Sequence, residues 1–579
     1  MQYAATTSGS ESLRFGMFLT YGVPKVGVPL ERPSRIVQLL AARGYNAERT
    51  AVTLLAGLDD PQAAVEAVVE SIADDTLRIT TDDVRAVLET DPAPDPAALE
   101  SSSTPGTPSG TPTGSTETPA SHTTASTADS QPKKHTKKSS SAVEIGGYSD
   151  STKAATNVSS TPSSSDSQSS PSPRATRSPE PAEISGDITG RSTGTGEYKQ
   201  FVTTFRDRYE RLSKLLGGRV NHRPASAIQS MAGGSEAEMI GLVNDIRSTA
   251  SGHWLIELED TTGTFPVLVM KNRDLAELVD DLLLDECIAV QGTLSDDAGI
   301  MFVDSLFFPD VPRTFRPSTA DRHVQAALIS DVHVGSQEFM AEAWNRFADW
   351  LHTEEAEHVE YLLIAGDMVE GVGVYPNQDE ELDIIDIFDQ YEAFSEHLKS
   401  VPGDMEIVMV PGNHDAVRLA EPQPGFDEEL RSIMSAHDCR ITANPSTVTI
   451  EGVSVLMYHG VSLDEVIAEL PEDKASYNEP HKAMYQLLKK RHVAPQYGGK
   501  MRLAPETKDY LVIDDVPDIF HTGHVHKLGW GKYHNVLAVN SGCWQAQTAF
   551  QKKVNIDPDV AHAPIVDLDT LRMTVRKFA

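Results

Sequence analysis

Seven side chains in the C-terminal half of the chain, Asp331, His333, Asp367, Asn413, His459, His524 and His526, each stand just after a short apolar run. They are carboxylates, imidazoles and one amide. Oxygen and nitrogen donors without thiolate suit borderline-hard divalent ions, manganese first and magnesium second. Asp331 and His333 are two positions apart, so at the end of an extended segment they point to one side and can grip one ion. Asp367, preceded by Gly366, adds a carboxylate able to bridge two ions. The run Pro411-Gly412-Asn413-His414-Asp415 puts a metal-ligating amide oxygen beside an imidazole that is free to handle a proton. His524 and His526 again share one side. A lone histidine or an isolated Asp-x-His pair is commonplace, whereas five such pieces in this order are a poor coincidence. Together they imply phosphodiester hydrolysis by two divalent ions roughly 4 Å apart. Asp331, His333, Asp367 and His526 would hold one ion, and Asp367, Asn413, His459 and His524 the other. His414 would protonate or orient the leaving oxygen.

The apolar runs that precede these residues span 324–330, 361–365, 407–410, 453–458 and 518–520. They are short, rich in Val, Ile and Leu, and stopped at once by polar or glycine residues, which predicts buried strands. Strand ends are where an α/β sheet opens its crevice and where loops gather side chains around one point. Helix patterns at 339–356 and 384–398 alternate with the strands, while after Val453 strands are expected without long helices. Residues 317–579 thus predict a two-sheet α/β domain. Upstream, 197–316 predicts a helix at 198–216, then strands at 240–246, 254–258, 265–270, 287–292 and 300–307, with a helical piece at 274–284 before the fourth. That order suggests a small Greek-key barrel of the oligonucleotide-binding type. Trp254, Phe265, Lys271 and Arg273 are its only candidate nucleic-acid contacts, so a barrel used for subunit contact is the favoured reading.

Residues 34–91 predict four short helices, with Ser34 and Asn46 as caps and Gly44 as a stop, forming a docking module or a solvated accessory domain. Residues 1–33 are a poorly defined extension. Between 92 and 196 Ser, Thr, Pro, Gly and Asp dominate, and so little apolar surface cannot offset the entropy of ordering, which predicts a disordered linker. Its patch Lys133, Lys134, His135, Lys137 and Lys138 reads as a solvated charge run more readily than as a nucleic-acid contact. The whole is an α/β multidomain chain.

With 49 Lys plus Arg against 85 Asp plus Glu in 579 residues, the formal charge is −36, which suits an acidic surface in a salt-rich cytoplasm. Three scattered cysteines exclude a disulfide framework or a thiolate zinc site. No apolar run approaches the roughly 18 residues a membrane span needs. A cytoplasmic protein without membrane contact is expected.

The metal-site motifs resemble those of the calcineurin-like metallophosphoesterase superfamily. Around them, His459-Gly460-Val461-Ser462-Leu463-Asp464, Lys482-Ala483-Met484, Leu487 to His492, Ala494-Pro495, Tyr497-Gly498-Gly499, Gly523 to His526 and Asn540-Ser541-Gly542-Cys543-Trp544-Gln545 resemble the small subunit of archaeal family-D DNA polymerase, of the acidic, haloarchaeal type. The likeness runs from about Tyr198 to the end. It implies a 3′→5′ proofreading exonuclease acting on single-stranded 3′ ends of DNA and bound to a large polymerising subunit, with a sliding clamp as a further candidate partner. Every metal-site position of that pattern is filled here. The densest positive cluster outside the linker, Lys489, Lys490 and Arg491 with Lys500 and Arg502, is expected to contact DNA backbone, with Tyr497 stacking a splayed base; charge compensation at a helix end is the competing account. A catalytically weak polymerase scaffold and a general metallophosphatase are the alternatives.

Overall fold

The computed structural model describes residues 178–579, apart from 376–377, 436–437, 500 and 554–555, together with Ile36, Leu40 and residues 46–47, 49–56, 61–71 and 78–90. The chain divides into residues 1–84 with 171–579, and residues 85–170, of which only the end of one helix is described. In the N-terminal part, helices Arg49–Ala56, Pro61–Ser71 and Thr81–Thr90 accompany a two-residue parallel pairing of Asn46–Ala47 with Arg78–Ile79. Asn46, expected to cap a helix, is therefore in a strand.

Residues 236–307 form a closed five-stranded barrel. Its strands are Glu236–Ser248, Trp254–Asp260, Gly263–Val269, Cys287–Leu294 and Met301–Phe307, a 3-10 segment Asp274–Asp281 entering before the fourth. Strand three pairs with strand five in parallel, and the fourth returns antiparallel to the first. This is the expected Greek-key closure. Helix Tyr198–Leu216 packs Leu212 and Leu216 against Ile240 and Cys287 of the barrel and Val512 beyond it.

The remaining residues build two six-stranded sheets. One contains Gln325–Ile329, Val359–Ala365 and Glu406–Val410 in parallel, flanked by Arg440–Ile441 and by the antiparallel strands His562–Asp567 and Arg572–Lys577. The other runs Leu528–Tyr533, Val536–Ser541, Ile519–Thr522, Val453–Met457, Ser446–Ile450 and Glu183–Ser185. Alternation along the strands decides which face each residue serves. Ala326, Leu328, Leu363, Val408 and Val410 meet Val448, Val455, Met457, Ile519 and Val539 between the sheets. Ala327, Ile329, Leu362, Ile364 and Met409 point the other way, onto Trp344 and Phe347 of helix Ala341–Leu351 and Phe394 of helix Ile387–Leu398. Strands buried on both faces read as continuous apolar runs, which is why they were legible in the sequence.

Two expectations are corrected. The stretch assigned to linker extends too far: within 92–196, Glu183–Ser185 adds an edge strand to Ser446–Ile450, and Ala182 and Ile188 are buried. The rest of that stretch, from 92 to 177, lies outside the described residues. After Val453, moreover, helices do occur: Leu463–Glu469 and Pro480–Lys490, the latter opened by a proline at its first turn, where no backbone N–H is missed.

Candidate metal centre

Each expected ligand follows the C-terminal end of a central strand, and the loops that leave those ends are pinned to one another by backbone hydrogen bonds. Asp331 N–H donates to Gly366 O at 2.9 Å and His333 N–H to Asp367 O at 3.1 Å. The His524 N–H donates to the Asp331 carboxylate (3.0 Å to Oδ2), and the His414 N–H to Asp367 Oδ1 at 2.8 Å. Asp331, His333, Asp367, His524 and His526 all take left-handed backbone angles, φ between 52° and 72°. Asp and His tolerate that region better than most residues. Gly412 makes room for the cluster, since a Cβ there would collide with Asp367 Oδ1.

The side chains converge. His333 Nε2 lies 3.0 Å from His526 Nε2, 3.9 Å from Asp331 Oδ1 and 3.8 Å from Asp367 Oδ2. His526 Nε2 is 3.5 Å from Asp331 Oδ1. His459 Nε2 stands 3.2 Å from Asp367 Oδ2 and 3.0 Å from Asn413 Oδ1. Asp331, His333 and His526 form one buried group of donors fit for a cation, and Asp331, Asp367 and His459 another. Asp331 thus reaches both groups, where the sequence assigned the sharing to Asp367.

The donor chemistry fits divalent cations. His459 Nδ1–H donates to Ala365 O at 2.9 Å, so in the neutral ring Nε2 carries a bare lone pair aimed at two oxygen acceptors. Only a cation or a proton reconciles those three atoms. The electrostatics state the same demand. Burial opposes charge on His459, yet Asp367 overrides it and pushes the imidazole up to about 10. Burial likewise opposes charge on His333, but Glu370 and both aspartates raise it to about 9. Burial would raise Asp367, while His459 and His414 hold it well below its ordinary value. A centre that pulls protons so hard is one in which cations replace them.

Glu370 was missed by the sequence reading. Its carboxylate, buried and held down to about 2 against the cost of burial by His333, lies 2.9 Å from His333 Nδ1 and turns Nε2 of that ring toward the centre. Gln545 and Gln378 donate to it at 2.6 and 3.2 Å. The signal was a lone acid three residues after Asp367 among apolar neighbours. Asp415 was seen but given no role; it accepts from Gly412 N, Met368 N and Tyr391 Oη at 2.8, 3.2 and 3.0 Å, fixing the Asn413-His414 turn. His526 Nδ1 meets the Gln551 amide at 2.8 Å. His414, half-buried beside His333 with ring centroids 4.8 Å apart, donates Nδ1–H to Glu370 O at 2.7 Å, leaving Nε2 for substrate.

The basic stretch is corrected. Lys490 is wholly buried, its Nζ 3.1 Å from Glu286 Oε2 and 2.6 Å from Asp281 O; Lys489 pairs with Asp281 at 2.7 Å; Arg491 is buried on Ile513 O. Lys489 and Lys490 fasten the end of helix Pro480–Lys490 to the barrel, and Arg491 holds the Ile513 and Asp514 carbonyls, rather than facing solvent. Tyr497 is exposed, its ring 5.3 Å from Phe201 and 5.6 Å from Phe205, and Arg502 is exposed. Lys500 lies outside the described residues.

A family model for the B subunit of DNA polymerases alpha and epsilon matches residues 326–527. The chain is 63% identical over 552 residues to the DNA polymerase II small subunit of Halobacterium salinarum, covering 95% of this chain and 100% of that one. Over 381 residues it is 45% identical to the DNA polymerase II small subunit of Archaeoglobus fulgidus, covering 64% and 76%. The chain belongs to the small subunits of archaeal family-D DNA polymerase. With the small subunit of Methanothermobacter thermautotrophicus the identity is 39% over 402 residues, 68% of this chain and 82% of that one. As a polymerase small subunit it has a large catalytic subunit for a partner. No helix among the described residues is long and apolar enough to cross a membrane.

Proposed function

We propose that this small subunit is the metal-dependent 3′→5′ exonuclease of its polymerase, removing nucleotides from single-stranded 3′ ends of DNA by two-metal phosphodiester hydrolysis while supporting the large subunit. The observation that carries the reading is the convergence of Asp331, His333, Asp367, Asn413, His459 and His526 from five strand ends on one point. His524 stands beside them, ring centroid 5.2 Å from that of His459. Two divalent ions held there, manganese or magnesium, would polarise the phosphodiester and supply an activated water. Asp331 and Asp367 would offset the cation charge, the Ala365 carbonyl holds His459 in the tautomer that leaves Nε2 unprotonated toward the centre, and the Glu370 carboxylate beside His333 Nδ1 favours the same for that ring. His414 in its imidazolium form would keep Nδ1–H on Glu370 O and give the Nε2 proton to the leaving 3′ oxygen.

In this reading residues 317–579 are the metallophosphoesterase domain, 197–316 the helix and oligonucleotide-binding barrel, and 34–91 a helical domain. Tyr497 and Arg502 remain candidate DNA contacts. The test is a 5′-labelled mismatched primer–template with manganese, with and without the large subunit. Wild type shortens the primer from its 3′ end, and His414→Ala cuts the rate by about 10²- to 10⁴-fold while still binding metal. Full activity in His414→Ala, or hydrolysis of small phosphoesters but not of DNA, would refute it.

A further inference from the structure

His524 differs from the other expected ligands. It enters neither buried group of converging donors, and its Nε2 instead lies 3.5 Å from Asp464 Oδ2. An imidazole has two nitrogens, and with Nε2 turned toward Asp464 the other, Nδ1, is the one left to serve a cation. Asp464 is itself gripped, for the Tyr477 hydroxyl donates to its other oxygen, Oδ1, at 2.9 Å. Burial first and Asp464 second push the Tyr477 phenol above its ordinary range, so it stays a donor at any working pH. All three residues line the same cavity as His333, Asp367 and His414.

The backbone makes the arrangement specific. Helix Leu463–Glu469 starts four residues after His459, so the loop that delivers one metal-site histidine also delivers the carboxylate for another. The rings of His459 and His524 meet edge-on, interplanar angle 76°. His524 N–H is bound to Asp331 and its φ is 72°, which fixes the Cα but not the ring torsion. Something beyond the backbone must set the ring. Asp464 is one-third exposed and Tyr477 exposed, so the pair stands at the mouth of the cavity while His333 and His459 are oriented from within by Glu370 and Ala365.

Building on the metal-centre reading above, we infer that Asp464 is the positioning residue of His524, itself held by Tyr477, and that this pair tunes the affinity of the outer of two cation sites. The centre would therefore be asymmetric: both cation sites rest on buried donors, but one would also use a histidine whose support is open to solvent and to an arriving DNA end.

The experiment uses the purified full-length chain, titrated with manganese chloride by calorimetry and followed by electron paramagnetic resonance at one and two equivalents. Wild type takes two ions and at two equivalents shows the exchange-coupled signal of a pair. Asp464→Asn weakens one of the two binding steps about 10- to 100-fold, the usual effect of losing such a support, and leaves the other unchanged. Its spectrum at two equivalents then keeps an uncoupled single-ion signal. Tyr477→Phe weakens the same step by a smaller factor, and Asp464→Glu restores part of it. Thermal melting without metal controls for folding. Two unaltered binding steps and a full pair signal in Asp464→Asn would overturn the inference while leaving the metal centre standing; no manganese binding by wild type would overturn both.

Discussion

Lys490→Ala separates two accounts of the basic stretch. Lys490 and Glu286 are both 0% exposed at their side chains, 3.1 Å apart, and among the described residues the lysine is the ion-pair partner of Glu286 Oε2, since the other carboxylate oxygen is taken by Leu283 N–H at 2.8 Å. Burial lifts the Glu286 carboxyl and lowers the Lys490 ammonium, so each charge survives only because of the other. Removing the lysine strands a buried carboxylate and the Asp281 carbonyl, which costs about 3–5 kcal/mol for one partner of a buried pair. Replacing both, as Lys490→Met with Glu286→Leu, removes two desolvation penalties and one attraction together, and should return to within about 1 kcal/mol of wild type or exceed it. The assay is urea unfolding at fixed salt and pH 7, read by tryptophan fluorescence, beside DNA binding measured over a salt series. A contact to DNA backbone would leave stability alone and reduce the slope of log affinity against log salt by about 1. If Lys490→Ala unfolds within about 0.5 kcal/mol of wild type, or the slope drops, the account of these cations as a barrel fastening is wrong.

Glu370→Gln keeps the shape but removes the charge at His333 Nδ1; manganese affinity should fall about 10- to 100-fold by calorimetry with the melting temperature of the metal-free protein nearly unchanged. Gly412→Ala drives a methyl into Asp367 Oδ1 and to 2.8 Å from His459 Cε1, so it should destabilise by about 1–3 kcal/mol in urea and abolish one manganese step. Acid should weaken the fold well away from the metal centre. His492, held down to about 4 by burial first and by Arg208 second, donates Nε2–H to Asp509 and accepts Ala494 N–H on Nδ1, a pairing that only the neutral ring can make. The unfolded ring takes its proton near pH 6.5, so stability is full above that value and falls, by up to about 3 kcal/mol, as pH drops toward 4. Asp509, depressed despite burial by Arg208 and His492, extends the loss further into acid. His492→Gln should flatten the upper part of that profile in pH-dependent urea unfolding.

Much of the site was legible because ligands and strands report on each other. Val359–Ala365 is buried along its whole length, and the apolar run 361–365 ended by Gly366-Asp367 has few other meanings. The barrel was legible for the same reason, its strands differing from expectation by a few residues at the ends. What stayed hidden were partners whose meaning is purely spatial. Glu370 and Gln551 carry no pattern of their own, and Asp464 stood in a motif without a role; each lies beside a histidine far away in sequence. Lys489 and Lys490 misled because charge on paper suggests solvent, while in the fold the complementary Asp281 and Glu286 arrive about 200 residues earlier in the chain. Glu183–Ser185 escaped because three residues pairing at an edge need no apolar run.

The left-handed ligand positions tie fold and chemistry together. A non-glycine residue in that region costs roughly 1–2 kcal/mol, and Asp331, His333, Asp367, His524 and His526 all occupy it. Such strain persists only where surroundings over-determine it. Here they do: Asp331 is held on one side by Gly366 O and on the other by Trp544 N–H at 2.8 Å, and Asp559 N–H reaches His526 O at 2.8 Å. The bonds come from loops of both sheets, so the packing of the two sheets is what holds these residues in place. Aspartate and histidine are thus selected twice at these positions, as ligands and as side chains that accept a left-handed backbone. Substitutions there change both properties unless chosen with care. Asp331→Asn and Asp367→Asn remove the charge and keep the backbone preference, whereas valine removes both, so only the asparagine variants report on metal binding rather than on the fold that presents it.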